Sequence, residues 1–186
     1  MTGSGQREPR GYFGIGVERL SKPMNLGTLF RSAHAFGASF VFTVDATYSK
    51  LTLASDTSHA VNEVPYYRFE NASDLVLPKE CKLVAVELVD EATDLPSFRH
   101  PRSAAYILGP EKDSVSDELL ARADHIIKIP TRFCINVGVA GAIVMYDRLL
   151  TTGRFSERPI TPDGPVVPLP EHVHGGMFNR KPDNKV

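Results

Sequence analysis

Short apolar runs, separated by polar turns, recur along most of the chain. Tyr12 to Val17 (YFGIGV) and Ser39 to Val44 (SFVFTV) read as buried strands, and Val64 to Phe69 as a shorter one. Leu83 to Leu88, Ala104 to Leu108 and His125 to Ile129 read the same way. Between them the period changes. Leu26, Leu29, Phe30 and Ala33 fall at helical spacing, with Asn25 expected as N-cap and Gly37 as stop. A short helix is expected over residues 71–77, another from a Ser114 cap to about Ala123, and a long one from Asn136 to Leu150, ended at Gly153. Strands alternate with helices, and the strand runs are apolar almost throughout. That pattern predicts an α/β fold, a mostly parallel sheet with helices on both faces.

The punctuation also divides the chain. Residues 1–10 read as a disordered arm, 11–153 as one domain, and 154–186 as an extended tail. Residues 155–186 hold six of the fourteen prolines and show no periodicity. Residues 45–63 are polar and poorly patterned. His172 and His174, in the tail, read as solvent-exposed rather than as metal ligands, so no metal is expected.

Composition narrows the classes. No apolar run approaches the ~20 residues of a membrane span, so no membrane association is expected. The start MTGSGQREPRG has no apolar segment of the kind a secretory signal carries. Two cysteines, Cys81 and Cys134, make no disulfide framework and suit a reducing cytoplasm. The net charge of −1 lacks the strong basic excess common in nucleic-acid binders. Charge is uneven, however. Residues 1–31 carry Arg7, Arg10, Arg19, Lys22 and Arg31 against Glu8 and Glu18, a local basic patch or a solvated end.

Three segments carry candidate chemistry. In Asn25-Leu-Gly27-Thr-Leu-Phe-Arg31, Gly27 and Arg31 share a helix face with His34 or Ala35. A guanidinium over a glycine-bared surface suits phosphate binding, and an ordinary surface arginine fits the same pattern. In Ala104-Ala-Tyr-Ile-Leu-Gly109-Pro110-Glu111, a buried strand exits sharply at the sheet edge where α/β proteins bind ligands. A plain turn is the alternative. In Ile127-Lys-Ile129-Pro130-Thr-Arg-Phe-Cys134-Ile135-Asn136, a strand ends, a loop holds one cysteine, and a helix dense in Gly138, Ala140, Gly141 and Ala142 begins. Small residues allow close helix approach. The apolar content of that helix runs almost all round, so both its faces should be buried, which hints at dimerisation. Cys134 reads as a packing residue or, in a hydrolase-like enzyme, as a nucleophile needing a basic partner. No dinucleotide fingerprint is present, because Gly14-x-Gly16 lies inside a strand, and no phosphate-binding GxxxxGK[ST] loop occurs.

The order N-x-G-x-x-x-R, then strand-G-P-E, then strand-I-P-loop-N-V-x-x-A-x-A-I resembles the three motifs of the SpoU/TrmH-like branch of the SPOUT RNA methyltransferases, over about residues 12–150. The resemblance implies an α/β fold with a C-terminal deep trefoil knot, one of the few exceptions to unknotted topology. It implies a homodimer that transfers a methyl group from S-adenosylmethionine to a ribose 2′-hydroxyl of RNA, transfer RNA before ribosomal RNA. Val86, Glu87, Gly109, Ile129, Cys134 and Ile135 are the implied cofactor contacts. Arg31, Asn25, Glu111 and Asn136 are the implied catalytic residues, with Arg31 reaching the cofactor of the sister subunit. A guanidinium hardly ever deprotonates, so holding phosphate and stabilising alkoxide charge suits Arg31 better than acting as a base. The chain departs from the family where Lys112-Asp-Ser-Val follows Glu111, and where Cys134 and Gly138 replace serines. The alternative within the same fold is a knotted RNA-binding dimer with weak or lost catalysis.

Overall fold

The computed structural model describes residues 11–20, 23–46, 63–110, 113–153, 155–156, 158–159 and 161–166. The expectations for the arm at 1–10, for most of 45–63, for Glu111 and for the tail beyond 166 lie outside those residues. The chain divides into two compact units, Met1–Arg154 and Phe155–Val186. Within the second, the described residues include a turn closed by the Gly164 N–H on the Thr161 carbonyl at 3.1 Å.

Seven strands are described: β1 (Tyr12–Glu18), β2 (Phe40–Val44), β3 (Tyr66–Phe69), β4 (Lys82–Val86), β5 (Thr93–Asp94), β6 (Ser103–Leu108) and β7 (His125–Lys128). They form one sheet in the order β3-β2-β1-β6-β4-β7-β5, with every pairing parallel. The α-helices that fall wholly among the described residues are α1 (Pro23–Ala35), α2 (Asp117–Arg122) and α3 (Val137–Thr152). Alternate strand positions feed two cores. Ile15, Val41, Val84 and Tyr106 pack with Leu29 and Phe30 of α1 and Val144 and Met145 of α3. Phe42, Ala85 and Ile107 face the other way, against Leu119 of α2. Burial on both faces explains the uninterrupted apolar runs.

Local signals misplace some ends. Pro23, not Asn25, opens the first helix, because proline is preset for the first helical turn. Asn25 therefore sits inside α1, buried. The far end behaves as expected: Gly37 takes φ 73°, and the Gly37 and Ala38 N–H groups close on the His34 and Ala33 carbonyls. Ser116 rather than Ser114 caps α2, its hydroxyl accepting from the Leu119 N–H. Residues 71–77 yield only a 3-10 turn at Ala72–Asp74.

The third helix starts as expected, with the Asn136 side chain accepting from the Gly138 and Val139 N–H groups. Leu29 of α1 occupies the space a side chain at Gly141 would need, so the small residues do bring α1 and α3 together. One face of this helix is not covered by its own chain: Val139, Ile143 and Tyr146 are 49%, 36% and 50% exposed.

The N-terminal edge of the sheet is tied down by a polar network. Buried Arg148 donates to the Pro101, Arg102 and Tyr12 carbonyls and to the Tyr106 hydroxyl. The Tyr106 hydroxyl lies 2.6 Å from His100 Nδ1, and His100 Nε2 lies 2.9 Å from Asp147. Burial pushes the His100 pKa down, more than the Asp147 carboxylate raises it. The ring is thus neutral near pH 7, donating from Nε2 to Asp147 and accepting the tyrosine proton at Nδ1. Burial likewise pushes the Tyr106 hydroxyl up to about 12. The opposite edge is left open for a ligand.

Candidate active site

At the C-terminal edge, β4 is flanked by β6 and β7, both later in the chain. Loops leaving such neighbours diverge and leave a crevice. Here it is a cavity of about 380 Å³. Val86, Glu87 and Leu88 line it from the end of β4, Leu108, Gly109 and Pro110 from the end of β6. Ile129, Thr131, Cys134 and Ile135 close it from the loop after β7. All six residues singled out as cofactor contacts are thus brought to one cavity. Its size falls within the range of small-molecule pockets, and its walls are mostly apolar.

Gly109 sits where the wall is tightest. A Cβ there would lie 2.8 Å from the Val115 N and 3.2 Å from the Glu87 carboxylate, so the strand exit and the following loop touch through a bare backbone. Glu87 lines the cavity and also ties it: its carboxylate accepts from the Val115 N–H at 2.8 Å and from the Leu88 N–H at 3.0 Å.

The other candidate residues take separate positions. Asn136 Nδ2 donates to Asn25 Oδ1 at 3.1 Å, joining the start of α3 to α1 beside the cavity residues Ile135 and Val137. Arg31 is exposed on α1 and lines no part of the cavity in the single chain. Glu111 lies outside the described residues. Cys134 is exposed, and among the described residues no histidine is hydrogen-bonded to it. The buried His100 is occupied at the opposite edge and does not serve Cys134 as a base.

Sequence reasoning missed three contributors. Glu18 and Arg19 bind the loop that forms one cavity wall, Arg19 through Asp113 of that loop. The only signal at Glu18 and Arg19 was charge at a strand end, and at Asp113 charge in a loop, and neither reveals a partner more than ninety positions away. It also missed Phe133, 74% exposed in the loop that borders the cavity.

A doubly covered parallel sheet with a ligand-sized cavity at its C-terminal strand ends defines an α/β ligand-binding domain of the enzyme type. The sequence model of the SpoU rRNA Methylase family matches residues 13–146, and the chain belongs to that family. Similar proteins include the tRNA (guanosine(18)-2'-O)-methyltransferase of Escherichia coli K12, 28% identical over 137 residues, which are 70% of this chain. The protein of the same name from Thermus thermophilus is 29% identical over 138 residues. The matched region spans 60% of the first relative's length and 71% of the second's. Among solved structures, the AdoMet-bound rRNA methyltransferase from Sinorhizobium meliloti superposes with a TM-score of 0.69, at 24% identity, over 76% of this chain and 57% of that one. That likeness supports the fold.

Proposed function

We propose that this chain is an S-adenosylmethionine-dependent RNA methyltransferase that methylates a ribose 2′-hydroxyl of transfer RNA. Membership of the family and the activities for which the relatives are named support the reaction class. The observation that carries the assignment to this chain is the single cavity gathering Val86, Glu87, Gly109, Ile129, Cys134 and Ile135. Its apolar walls suit an adenosyl group, and exposed backbone groups at the strand ends suit its polar edges. S-adenosylmethionine would supply an electrophilic methyl group there.

The rest falls to the protein. A ribose hydroxyl is a poor nucleophile, so it must be aligned, must release its proton to solvent or a neighbouring base as the methyl group leaves sulfur for oxygen, and must have its developing negative charge stabilised. Arg31 would stabilise that charge as a cation that also holds the RNA phosphate. Asn25 and Asn136, hydrogen-bonded to each other, would orient the ribose and the loop, with Glu111 as a further polar contributor.

Because Arg31 lies off the cavity of its own chain, the reading includes a homodimer in which it serves the sister subunit. Val139, Ile143 and Tyr146 of α3, flanking a groove with Thr28, Ser32 and Phe36, offer the apolar surface such a dimer needs. It also includes the C-terminal trefoil knot, formed by the segment after β7, and a reducing cytoplasmic setting suited to two free cysteines. No helix among the described residues is long and apolar enough to cross a membrane.

The test is mass-spectrometric mapping of 2′-O-methylated nucleotides in total RNA from cells with and without the protein. Loss of a defined mark from a transfer RNA, restored by wild type and not by Arg31→Ala, is expected. A lost mark in ribosomal RNA would move the substrate to the class named in the family's description. An unchanged methylation profile would refute the catalytic reading and leave an RNA-binding dimer.

A further inference from the structure

We infer that Glu18 and Arg19 are positioning residues that clamp one wall of the cavity in its ligand-ready shape. The inference rests on reading that cavity as the cofactor site. The wall is the segment 113–116, of which Asp113 and Ser114 line the cavity beside Gly109 and Pro110. A loop of this kind carries no regular backbone pairing of its own, so something else must order it.

Four consecutive residues of the wall are held from outside. Arg19 donates from one guanidinium nitrogen to the Asp113 carboxylate at 2.9 Å and from the other to the Ser114 carbonyl at 2.7 Å. Glu87, at the end of β4, takes the Val115 N–H at 2.8 Å. Glu18, at the end of β1, takes the Ser116 N–H at 2.7 Å. Glu18 is 2% exposed, a buried carboxylate that nothing in the proposed chemistry uses. A charge is buried at such a position only with hydrogen bonds to satisfy it.

The backbone at Arg19 points the same way. It takes φ 47°, the left-handed region that disfavours any residue with a Cβ, and its N–H is anchored on the Val44 carbonyl at 2.9 Å. Glycine would suit the turn better. Arginine keeps an unfavourable conformation and in return reaches the wall with two charge-assisted hydrogen bonds, the kind of local strain that accompanies function.

Without the clamp, Asp113 and Ser114 would lose the contacts that hold them against the cavity while Val115 kept its bond to Glu87, and the cost of ordering them would be subtracted from affinity. Neither Arg19 nor Glu18 lines the cavity, so on this reading they act on the cofactor through the wall. Their removal should therefore weaken cofactor binding and leave RNA binding alone.

The test uses the full chain with S-adenosylmethionine and S-adenosylhomocysteine in calorimetry, and amide hydrogen exchange on the ligand-free protein. Arg19→Gly removes the guanidinium while relieving the strained turn, so the fold should survive. The expected result is a cofactor Kd raised about tenfold or more. Exchange at Val115 and Ser116 should quicken, and RNA affinity in the absence of cofactor should be unchanged. Glu18→Gln keeps an acceptor oxygen and should largely rescue what Glu18→Ala loses. A folded Arg19→Gly protein with wild-type cofactor affinity and wild-type exchange at 115–116 would overturn the clamp. Wild type that binds neither cofactor nor its product would instead overturn the assigned function; the exchange rates would still decide whether Arg19 orders the wall.

Discussion

Asn136 Nδ2 donates to Asn25 Oδ1 across 3.1 Å, joining residues 111 positions apart. The Asn136 side-chain oxygen meanwhile caps α3 through the Gly138 and Val139 N–H groups. One side chain thus starts a helix and ties it to the buried polar residue of α1. Asn136→Ala is expected to cost about 0.5–2 kcal/mol from the cap alone. Asn25→Ala leaves the cap in place, so it should lower methyl transfer more than stability. Thermal melts and initial rates on the two variants separate the roles.

Arg31→Ala removes an exposed side chain, and stability should move by no more than about 0.5 kcal/mol. Methyl transfer to RNA should fall by about a hundredfold or more, with cofactor Kd unchanged. Single-turnover rates beside calorimetry check this. A variant with near-normal turnover would remove Arg31 from the mechanism.

Gly109→Ala places a methyl group 2.8 Å from the Val115 backbone N and 3.1 Å from the Ser114 carbonyl carbon. Backbone atoms cannot swing aside as a side chain can. The loop must shift, at a cost of about 1–3 kcal/mol. Cofactor affinity should drop with it, which equilibrium unfolding and calorimetry on one preparation will show.

Tyr146→Glu puts a charge on the exposed apolar face of α3 without disturbing the core beneath. Sedimentation is expected to show a dimer for wild type and a monomer for the variant. The monomer should still bind cofactor, because the cavity is lined by one chain. It should lose methyl transfer if Arg31 acts across the interface.

Stability should depend on pH through His100. Its folded-state pKa is lowered, so the unfolded chain takes up the proton more readily. The contribution is fully present above the unfolded value of about 6.5 and is lost as pH falls from there towards the folded-state value. Melting temperature should therefore hold above about pH 6.5 and decline as pH falls below it. His100→Gln should be less stable at pH 8 and show a shallower decline. An identical slope in the variant would assign the effect to other groups.

Much of the fold was legible in the chain. Among the described residues, six of the seven strands and the helices α1, α2 and α3 follow from spacing, because periods of two and of 3.6 residues are written in neighbouring positions. The strand β5 escaped because Thr93–Asp94 is too short to carry a period. Ser114 and Ser116 are equally good caps by composition. The choice between them follows the loop that Arg19, Glu18 and Glu87 hold in place.

The candidate site divides along the same line. The sequence by itself determined which residues could do chemistry, since Gly109 after a strand, Asn136 before a helix and Arg31 on a helix face are local features. Only the tertiary structure decided that the ends of β4, β6 and β7 enclose one cavity. It alone tied Glu18 and Arg19 to a wall some ninety-five positions away and left one face of α3 uncovered. The physical reason is that strand order and loop contacts are set by crossover connections and packing between distant segments, and no short-range pattern encodes them.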